Sequence, residues 1–289
     1  MNAGNSLAKQ IVRCSRTIAA GSGRKLKVIG LEESRAIAAH SRLTPLEVEI
    51  TCLENGVVPM RYLRNIGTAG IQGQLKLLYS TVAICGAGGL GGSVIELLAR
   101  QGIGHLVIID NGRFVENNLN RQIMSGEDVL RRSKVKVAAQ RVRRINSAIA
   151  VKKCSTYIND SSVDGLLKGC DVVVDALDSL SSRMVVEASC RRLKLPFVHG
   201  AIAGYCGQVM TVLPGDKGLS AIYGPGCDVR GVEAVTGNPS ATPTAIAAWE
   251  VQEVVKLITG TGEPIRNRLL FVDFADGSLE SIPLAQEGK

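Results

Sequence analysis

Six residues constrain this chain more than any others: Gly86-Ala87-Gly88-Gly89-Leu90-Gly91, which follow the apolar run Val82-Ala83-Ile84-Cys85 and open a helix-forming segment. A strand running into glycines and then into a helix lets the backbone turn tightly and close around a phosphate. The helix N-terminus supplies unpaired N–H groups and a partial positive charge. Such glycines also occur for structural reasons alone, but this context favours a nucleotide at the strand ends, with Gly86, Gly88, Gly89 and Gly91 as its cradle.

The surrounding pattern predicts the sheet that the motif needs. From Thr81 onward short apolar runs alternate with amphipathic stretches, as in βαβ units. Candidate strands cover 81–85, 105–110, 151–157, 171–176 and 196–199, with helices over 91–101, 134–147, 161–168 and 180–193 between them. The run Val172-Val173-Val174 suits a strand buried on both faces. After Gly207 the order turns antiparallel: a strand at 208–213, a Gly/Pro-rich stretch to Pro243, a helix at 244–259 and a hairpin whose strands, 269–274 and 278–284, flank Asp276-Gly277. The fold class is therefore α/β, a Rossmann-like, mostly parallel sheet flanked by helices and ending in antiparallel strands. Residues 1–60 read as a polar, helical N-terminal extension, with Thr44-Pro45 as a turn or cap signal, and 61–289 as the main domain.

The formal charge of +8 implies an anionic partner but does not choose between nucleotide phosphates, an acidic protein and nucleic acid. Nine Lys or Arg and no acid lie between Val129 and Asn159, a run that a solvated helix face would also explain. No apolar run is long enough to span a bilayer and no signal-peptide core follows Met1, so a cytoplasmic protein is expected. The eight cysteines are scattered without a Cys-x-x-Cys pair, which signals neither a disulfide framework nor a zinc site.

Asp110 ends the second strand, where a carboxylate commonly accepts from ribose hydroxyls. To this point a nicotinamide-dependent oxidoreductase fits equally well. The segment Val115-Glu116-Asn117-Asn118-Leu119-Asn120-Arg121-Gln122 and then Lys134 separate the readings: Asn118, Arg121 and Lys134 would bring one amide and two cations to the strand ends, as a triphosphate requires. Asp178 closes the strand that ends Asp175-Ala176-Leu177. It could hold Mg²⁺, which commonly takes only one or two protein carboxylates, or it could cap the helix that follows.

Taken together these residues resemble the ThiF/MoeB/HesA family, bacterial relatives of ubiquitin-activating enzymes, over Arg61 to Leu284. The resemblance is carried, in order, by Arg61-Tyr62-Leu63-Arg64, Gly86 to Gly91, Asp110, Asn118-Leu119-Asn120-Arg121-Gln122, Ser133-Lys134-Val135 and Asp175-Ala176-Leu177-Asp178. It implies that Asp110 binds the ATP ribose, that Asn118, Arg121 and Lys134 handle the phosphates, and that Asp178 holds Mg²⁺. It further implies that Arg64 reaches the ATP of a homodimer partner, where an exposed helix cation is the plainer alternative. The chain departs from the pattern in three places. Asp110-Asn111-Gly112 replaces the frequent Asp-x-Asp. Leu219-Ser220-Ala221-Ile222-Tyr223 stands where a first Cys-x-x-Cys is expected. The cysteine some members carry before the late helix is replaced around Gly231-Val232-Glu233-Ala234, leaving Cys227 as the only nearby thiol. His40, His105 and His199 have no ligand-spaced partner, and Trp249 reads as core.

The expected activity is attack by the terminal glycine carboxylate of a MoaD- or ThiS-like carrier on the α-phosphate of ATP, serving molybdopterin or thiamine synthesis. Neither a membrane nor a nucleic acid is the expected partner. Two alternatives stay open: the oxidoreductase, and an ATP-dependent relative acting on a modified tRNA base, which the segment Arg131 to Arg144 could serve.

Overall fold

The computed structural model describes residues 3–19, 23–224 and 233–284. Its main element is an eight-stranded sheet in which the strands 278–283, 268–273, 206–212, 197–203, 172–175, 81–85, 105–109 and 150–154 lie side by side in that order. The parallel part comprises β4 (Thr81–Cys85), β5 (His105–Ile109), β6 (Ala150–Cys154), β7 (Val172–Asp175) and β8 (Phe197–Ala203). The chain builds outward from β4 through β5 to β6, then returns to place β7 on the other side of β4. That reversal opens a crevice at the carboxyl ends of β4 and β7, where ligands bind in sheets of this kind.

Burial explains these strands. All four residues of β7 are inaccessible, and Val82, Ala83, Ile84 and Cys85 are fully covered on both faces. On one face α5 (Gly89–Gln101), α6 (Lys134–Ile145) and α10 (Ala241–Thr259) enclose a core that includes Ile84, Val94, Leu98, Val142, Val174 and Ile246. On the other, α7 (Val163–Leu167) and α8 (Leu180–Leu193) cover Ala83, Val107, Val173, Val186 and Phe197.

The antiparallel half begins earlier than the sequence pattern suggests. Strand β8 continues to Ala203 and turns through Gly204-Tyr205, with φ +58° at Gly204, directly into β9 (Cys206–Val212). Strands β10 (Arg268–Asp273) and β11 (Ser278–Pro283) form the expected hairpin, but its loop has four residues, 274–277. Gly277 adopts φ +77° and its N–H bonds to the Asp273 carbonyl at 2.9 Å.

The N-terminal segment carries a sheet as well as helices. Alongside α1 (Ala3–Cys14), α2 (Leu31–Ser41) and α3 (Pro45–Glu54), strands β1 (Arg16–Ala19), β2 (Lys25–Ile29) and β3 (Val57–Pro59) pair in that order. The strand signal is Leu26, Val28 and Ile29 turned inward from a stretch that also bears lysines. Thr44-Pro45 is a capping box: Thr44 Oγ1 accepts from the Glu47 N–H at 3.2 Å and Glu47 Oε2 accepts from the Thr44 N–H at 2.7 Å. Residues on both sides of position 60 share one core, with Leu26, Leu46, Leu53 and Val58 packed among Tyr62, Ile66 and Leu78 of the approach to α4 (Ile66–Tyr79). Tyr62 fastens that core to the C-terminal end of α6, donating to Glu49 at 2.8 Å and accepting from Nδ2 of the capping residue Asn146 at 2.8 Å.

Candidate active site

The glycine loop is shaped by two close approaches. Gly86 has φ +101°, and a Cβ there would lie 2.4 Å from the Ala176 carbonyl oxygen, so the ends of β4 and β7 meet only because no side chain intervenes. A Cβ on Gly91 would sit 2.0 Å from the Gly86 carbonyl oxygen. Gly88 and Gly89 play a different part, since a Cβ on either meets nothing closer than 3.5 Å. Neither is forced by a close approach, and at Gly89 the neighbours are Arg121 and Pro243. Helix α5 starts there with Gly88 at its N-cap and no side-chain cap, so its first N–H groups remain available to an anion.

Asp110 pins this loop. Its Oδ2 accepts from the Ala87 N–H at 2.8 Å and its Oδ1 from the Gly112 N–H at 2.6 Å, with lone pairs left on both oxygens for ribose hydroxyls. Gly112 explains one departure from the family pattern. A Cβ there would lie 3.0 Å from Asp110 Oδ1 and 3.4 Å from Lys134 Cε, so the stem of Lys134 occupies the space an aspartate would need. The Lys134 N–H bonds to the Gly112 carbonyl at 3.0 Å, placing the first residue of α6 beside Asp110. Its ammonium makes no hydrogen bond or ion pair among the described residues.

The 115–125 loop divides its residues between shape and charge. Arg121 comes to the glycine loop: its Cγ lies 3.5 Å from where a Gly89 Cβ would stand. Its Nη1 donates to the Asn117 carbonyl at 2.8 Å and to Asn120 Oδ1 at 2.9 Å, and Nε and Nη2 are uncommitted among the described residues. Asn118, expected among the phosphate contacts, also shapes the loop itself. It is buried, its Oδ1 accepts from the Val115 N–H at 3.1 Å and its Nδ2 donates to Asn117 Oδ1 at 2.9 Å, so both amide groups hold the loop's own turn. Gln122, quoted in the motif but given no role, is buried beneath Gly88 with Nε2 3.8 Å from the Cβ position and Oε1 unpartnered among the described residues.

Asp178 lies just beyond β7, exposed and without a hydrogen bond or ion pair among the described residues. It does not cap α8. Ser179 does, its hydroxyl accepting from the Ser182 N–H at 3.4 Å. Below it lies a buried network that local patterns do not signal. Asp175 bonds to His199 Nδ1 at 2.7 Å and pairs with Arg183 at 3.2 Å, and Gln208 Nε2 bridges His199 Nε2 at 3.0 Å and Tyr223 Oη at 2.8 Å. Burial alone would raise the Asp175 carboxyl, but the Arg183 charge and the His199 hydrogen bond hold it below its usual value. Burial pushes His199 down, so the ring is neutral. His199, expected at the end of its strand, is the third residue of β8 and fully buried.

Arg64 is the predicted site residue that one chain does not bring to the others. It is exposed, without a hydrogen bond or ion pair among the described residues. Its neighbour Asn65 bonds to the carbonyl of Gln101, the last residue of α5. That end is about 20 Å from the glycine loop by the rise of a 13-residue helix.

Other features lie apart from the crevice. Arg141 of the basic segment pairs with Glu96 at 2.7 Å and Arg132 bonds to Gln140 at 2.7 Å, whereas Lys136, Arg143 and Arg144 are exposed. A cavity of about 300 Å³, lined by Thr211, Asp216, Lys217, Arg266 and Asn267 among others, shares no residue with the crevice. Where a first cysteine pair is missing, the loop after β9 is tied to the approach to β10 by Asp216 and Arg266, 2.8 Å apart. Among the described residues no cluster of three or more His, Cys, Asp or Glu could hold a metal, and no helix is long and apolar enough to cross a membrane. Five of the seven described cysteines are buried, and burial pushes Cys52 to about 12 and Cys170 to about 11. Cys227, with Asp228 and Arg230, lies outside the described residues.

With the crevice in view, comparison with known proteins is decisive: the family model described as ThiF matches residues 62–289. The chain belongs to the ThiF family. Among its ThiF-type relatives is the SAMP-activating enzyme E1 of Haloferax volcanii, 34% identical over 227 residues, which cover 77% of this chain and 84% of that protein. Another is the adenylyltransferase and sulfurtransferase MOCS3-1 of Zea mays, 33% identical over 74% of this chain, which spans about half (47%) of that longer protein. The fold also matches the crystal structure of E. coli MccB with ATP, with a TM-score of 0.70, 19% identity, and coverage of 98% of this chain and 87% of that one. As a ThiF-family member with such relatives, the chain is an adenylyltransferase of the ubiquitin-like-modifier-activating type.

Proposed function

We propose that the crevice binds ATP and Mg²⁺ and adenylates the C-terminal glycine carboxylate of a small ubiquitin-like carrier of the MoaD or ThiS kind, in molybdopterin or thiamine synthesis. The carrying observation is the convergence on one set of strand ends of bare helix N–H groups, Asp110, and the uncommitted charges of Arg121, Lys134 and Asp178. A nicotinamide cofactor would leave the last three without a task. The carrier's carboxylate oxygen bonds to the α-phosphorus as the bond to the bridging oxygen of pyrophosphate breaks. No base is needed, because the attacking carboxylate is already ionised.

The protein's share of this reaction is alignment and charge neutralisation. Asp110 orients the ribose while holding the glycine loop. Arg121 and Lys134 offset the charge on the departing pyrophosphate, and Asn118 keeps the Arg121 loop in shape. Asp178 is the residue that would hold Mg²⁺, and its free, exposed carboxylate suits a cation that keeps most of its water. Bound there, the metal would neutralise phosphate charge. Arg64, distant from the crevice of its own chain, supports a homodimer in which it serves the partner's nucleotide.

The test is exchange of labelled pyrophosphate into ATP against a panel of carriers. Exchange that requires both Mg²⁺ and a Gly-Gly-ended carrier is expected. Exchange without any carrier, or none with every carrier, would refute the assignment.

A further inference from the structure

Asp178 has no hydrogen bond or ion pair among the described residues, so the residue before it sets its direction. Both backbone polar groups of that residue, Leu177, are held. The Leu177 N–H donates to Asp175 Oδ1 at 3.1 Å, and the Leu177 carbonyl accepts from Arg183 Nη2. One residue earlier, the Ala176 N–H bonds to the Cys85 carbonyl at 2.9 Å, and the Ala176 carbonyl faces the bare Cα of Gly86. The segment from Ala176 to Asp178 is thus fixed to the glycine loop on one side and to two buried charged residues on the other.

Arg183 is only 9% exposed, and its planar fork sends Nη2 to one acceptor and Nη1 to others, a division a lysine ammonium does not reproduce. Besides Leu177 it donates through Nη1 to the Gly200 carbonyl at 2.7 Å and to Asp175 Oδ2 at 3.2 Å. The ionised Asp175 only accepts, so the His199 proton lies on Nδ1, pointing at the same Oδ2, and His199 Nε2 accepts from Gln208. The 3.1 Å approach of Arg183 Nη1 to His199 Nδ1 is then two donors converging on one oxygen. Asp175 is thereby held from two sides, and its other oxygen is aimed at the Leu177 N–H.

We propose that Arg183, acting with Asp175, is a positioning residue that presents the Asp178 carboxylate to the Mg²⁺ accompanying ATP by immobilising the Leu177 peptide. The proposal rests on the ATP–Mg²⁺ reading of this crevice and not on the carrier. Arg183→Lys keeps a positive charge for Asp175 while giving up the planar fork that reaches Leu177 and Gly200, so it separates positioning from charge balance.

ATP binding is measured by calorimetry on the full chain, without carrier, in EDTA and across a Mg²⁺ titration, for wild type, Arg183→Lys, Asp178→Asn and the double variant. The expected result is that Arg183→Lys changes ATP affinity in EDTA by less than about twofold, while the Mg²⁺ needed for half-maximal tightening rises by about tenfold in each single variant, within the losses that misplaced groups cause. The double variant should match Asp178→Asn alone, because Arg183 acts through Asp178. A merely structural Arg183 would lower the melting temperature and leave the Mg²⁺ dependence untouched. That result, or multiplicative losses in the double variant, overturns the proposal. If Arg183→Lys does not fold, Asp175→Asn takes its place: it retains an oxygen for the Leu177 N–H but weakens the hold on Arg183, and should show the same Mg²⁺ defect in smaller measure. Wild-type Mg²⁺ dependence in Asp175→Asn is equally fatal. No carrier is present in these measurements, so an incorrect carrier assignment would leave the expected results unchanged.

Discussion

Replacing Glu250 by glutamine should remove a pH-dependent cost that the wild-type fold carries. Glu250 projects from α10 with 0% of its surface exposed, against Gly200, where a Cβ would come within 2.5 Å of its Cδ. Neither carboxyl oxygen has a hydrogen-bond partner among the described residues. Burial, reinforced by the Asp175 charge and partly offset by Arg183, pushes its carboxyl well above the ordinary glutamate value. The folded state therefore holds this proton more tightly than the unfolded chain does. Below the ordinary glutamate pKa both states are protonated and stability is unaffected. Above it the unfolded chain ionises first, and stability falls by about 1.4 kcal/mol per pH unit until the raised value is reached. Each pH unit inside that window is a sizeable part of the roughly 5–15 kcal/mol by which domains are stable. Glutamine keeps the shape and never ionises. Urea unfolding of wild type and Glu250→Gln at pH 5, 6 and 7 should show the variant gaining on wild type with each step upward. Shifts common to both chains, such as the burial-raised Glu187, cancel in the comparison. A difference that stays flat with pH would refute the reasoning.

Three further outcomes are expected. Lys134→Ala and Asp178→Ala should each lower pyrophosphate exchange by at least about tenfold without a change in melting temperature, since a positioned electrostatic group is commonly worth about 3 kcal/mol; a variant with normal exchange loses its place in the site. Arg64→Ala chains mixed with Lys134→Ala chains should recover activity through one intact site per mixed dimer, and verified heterodimers that stay inactive would place Arg64 elsewhere. Cys227→Ser should keep full exchange, because attack on the α-phosphate uses the carrier's own carboxylate and a thiolate becomes useful only afterwards; a thiol-sensitive carrier adduct on a non-reducing gel that vanishes in this variant would restore a covalent relay.

What could be read from the chain alone follows the range of the signals. Strand β4 at Thr81–Cys85 and helix α8 at Leu180–Leu193 lie where periodicity puts them, because each buries a face whose pattern is complete within a few turns of sequence. The glycine loop was legible for the same reason. Strands β1 to β3 were not, because each has only three to five residues and they lie among good helix formers. The turn at Gly204-Tyr205 was missed because β8 and β9 run on to it through Gly200 and Gly207, which read along the chain as strand ends.

Sequence by itself determined the parallel sheet, the glycine loop that follows β4, and the family, all of which depend on neighbours along the chain. Tertiary structure alone decided which groups are free to act. It turned the Asn118 amide inward, laid the Lys134 stem over Gly112, separated Arg64 from the crevice of its own chain, and joined Asp175 to His199 across 24 positions. The physical reason is that a buried polar group must find its partner wherever the packing places one, and the strand order that makes β7 and β8 neighbours is settled by burial of the whole sheet rather than by any short run of residues.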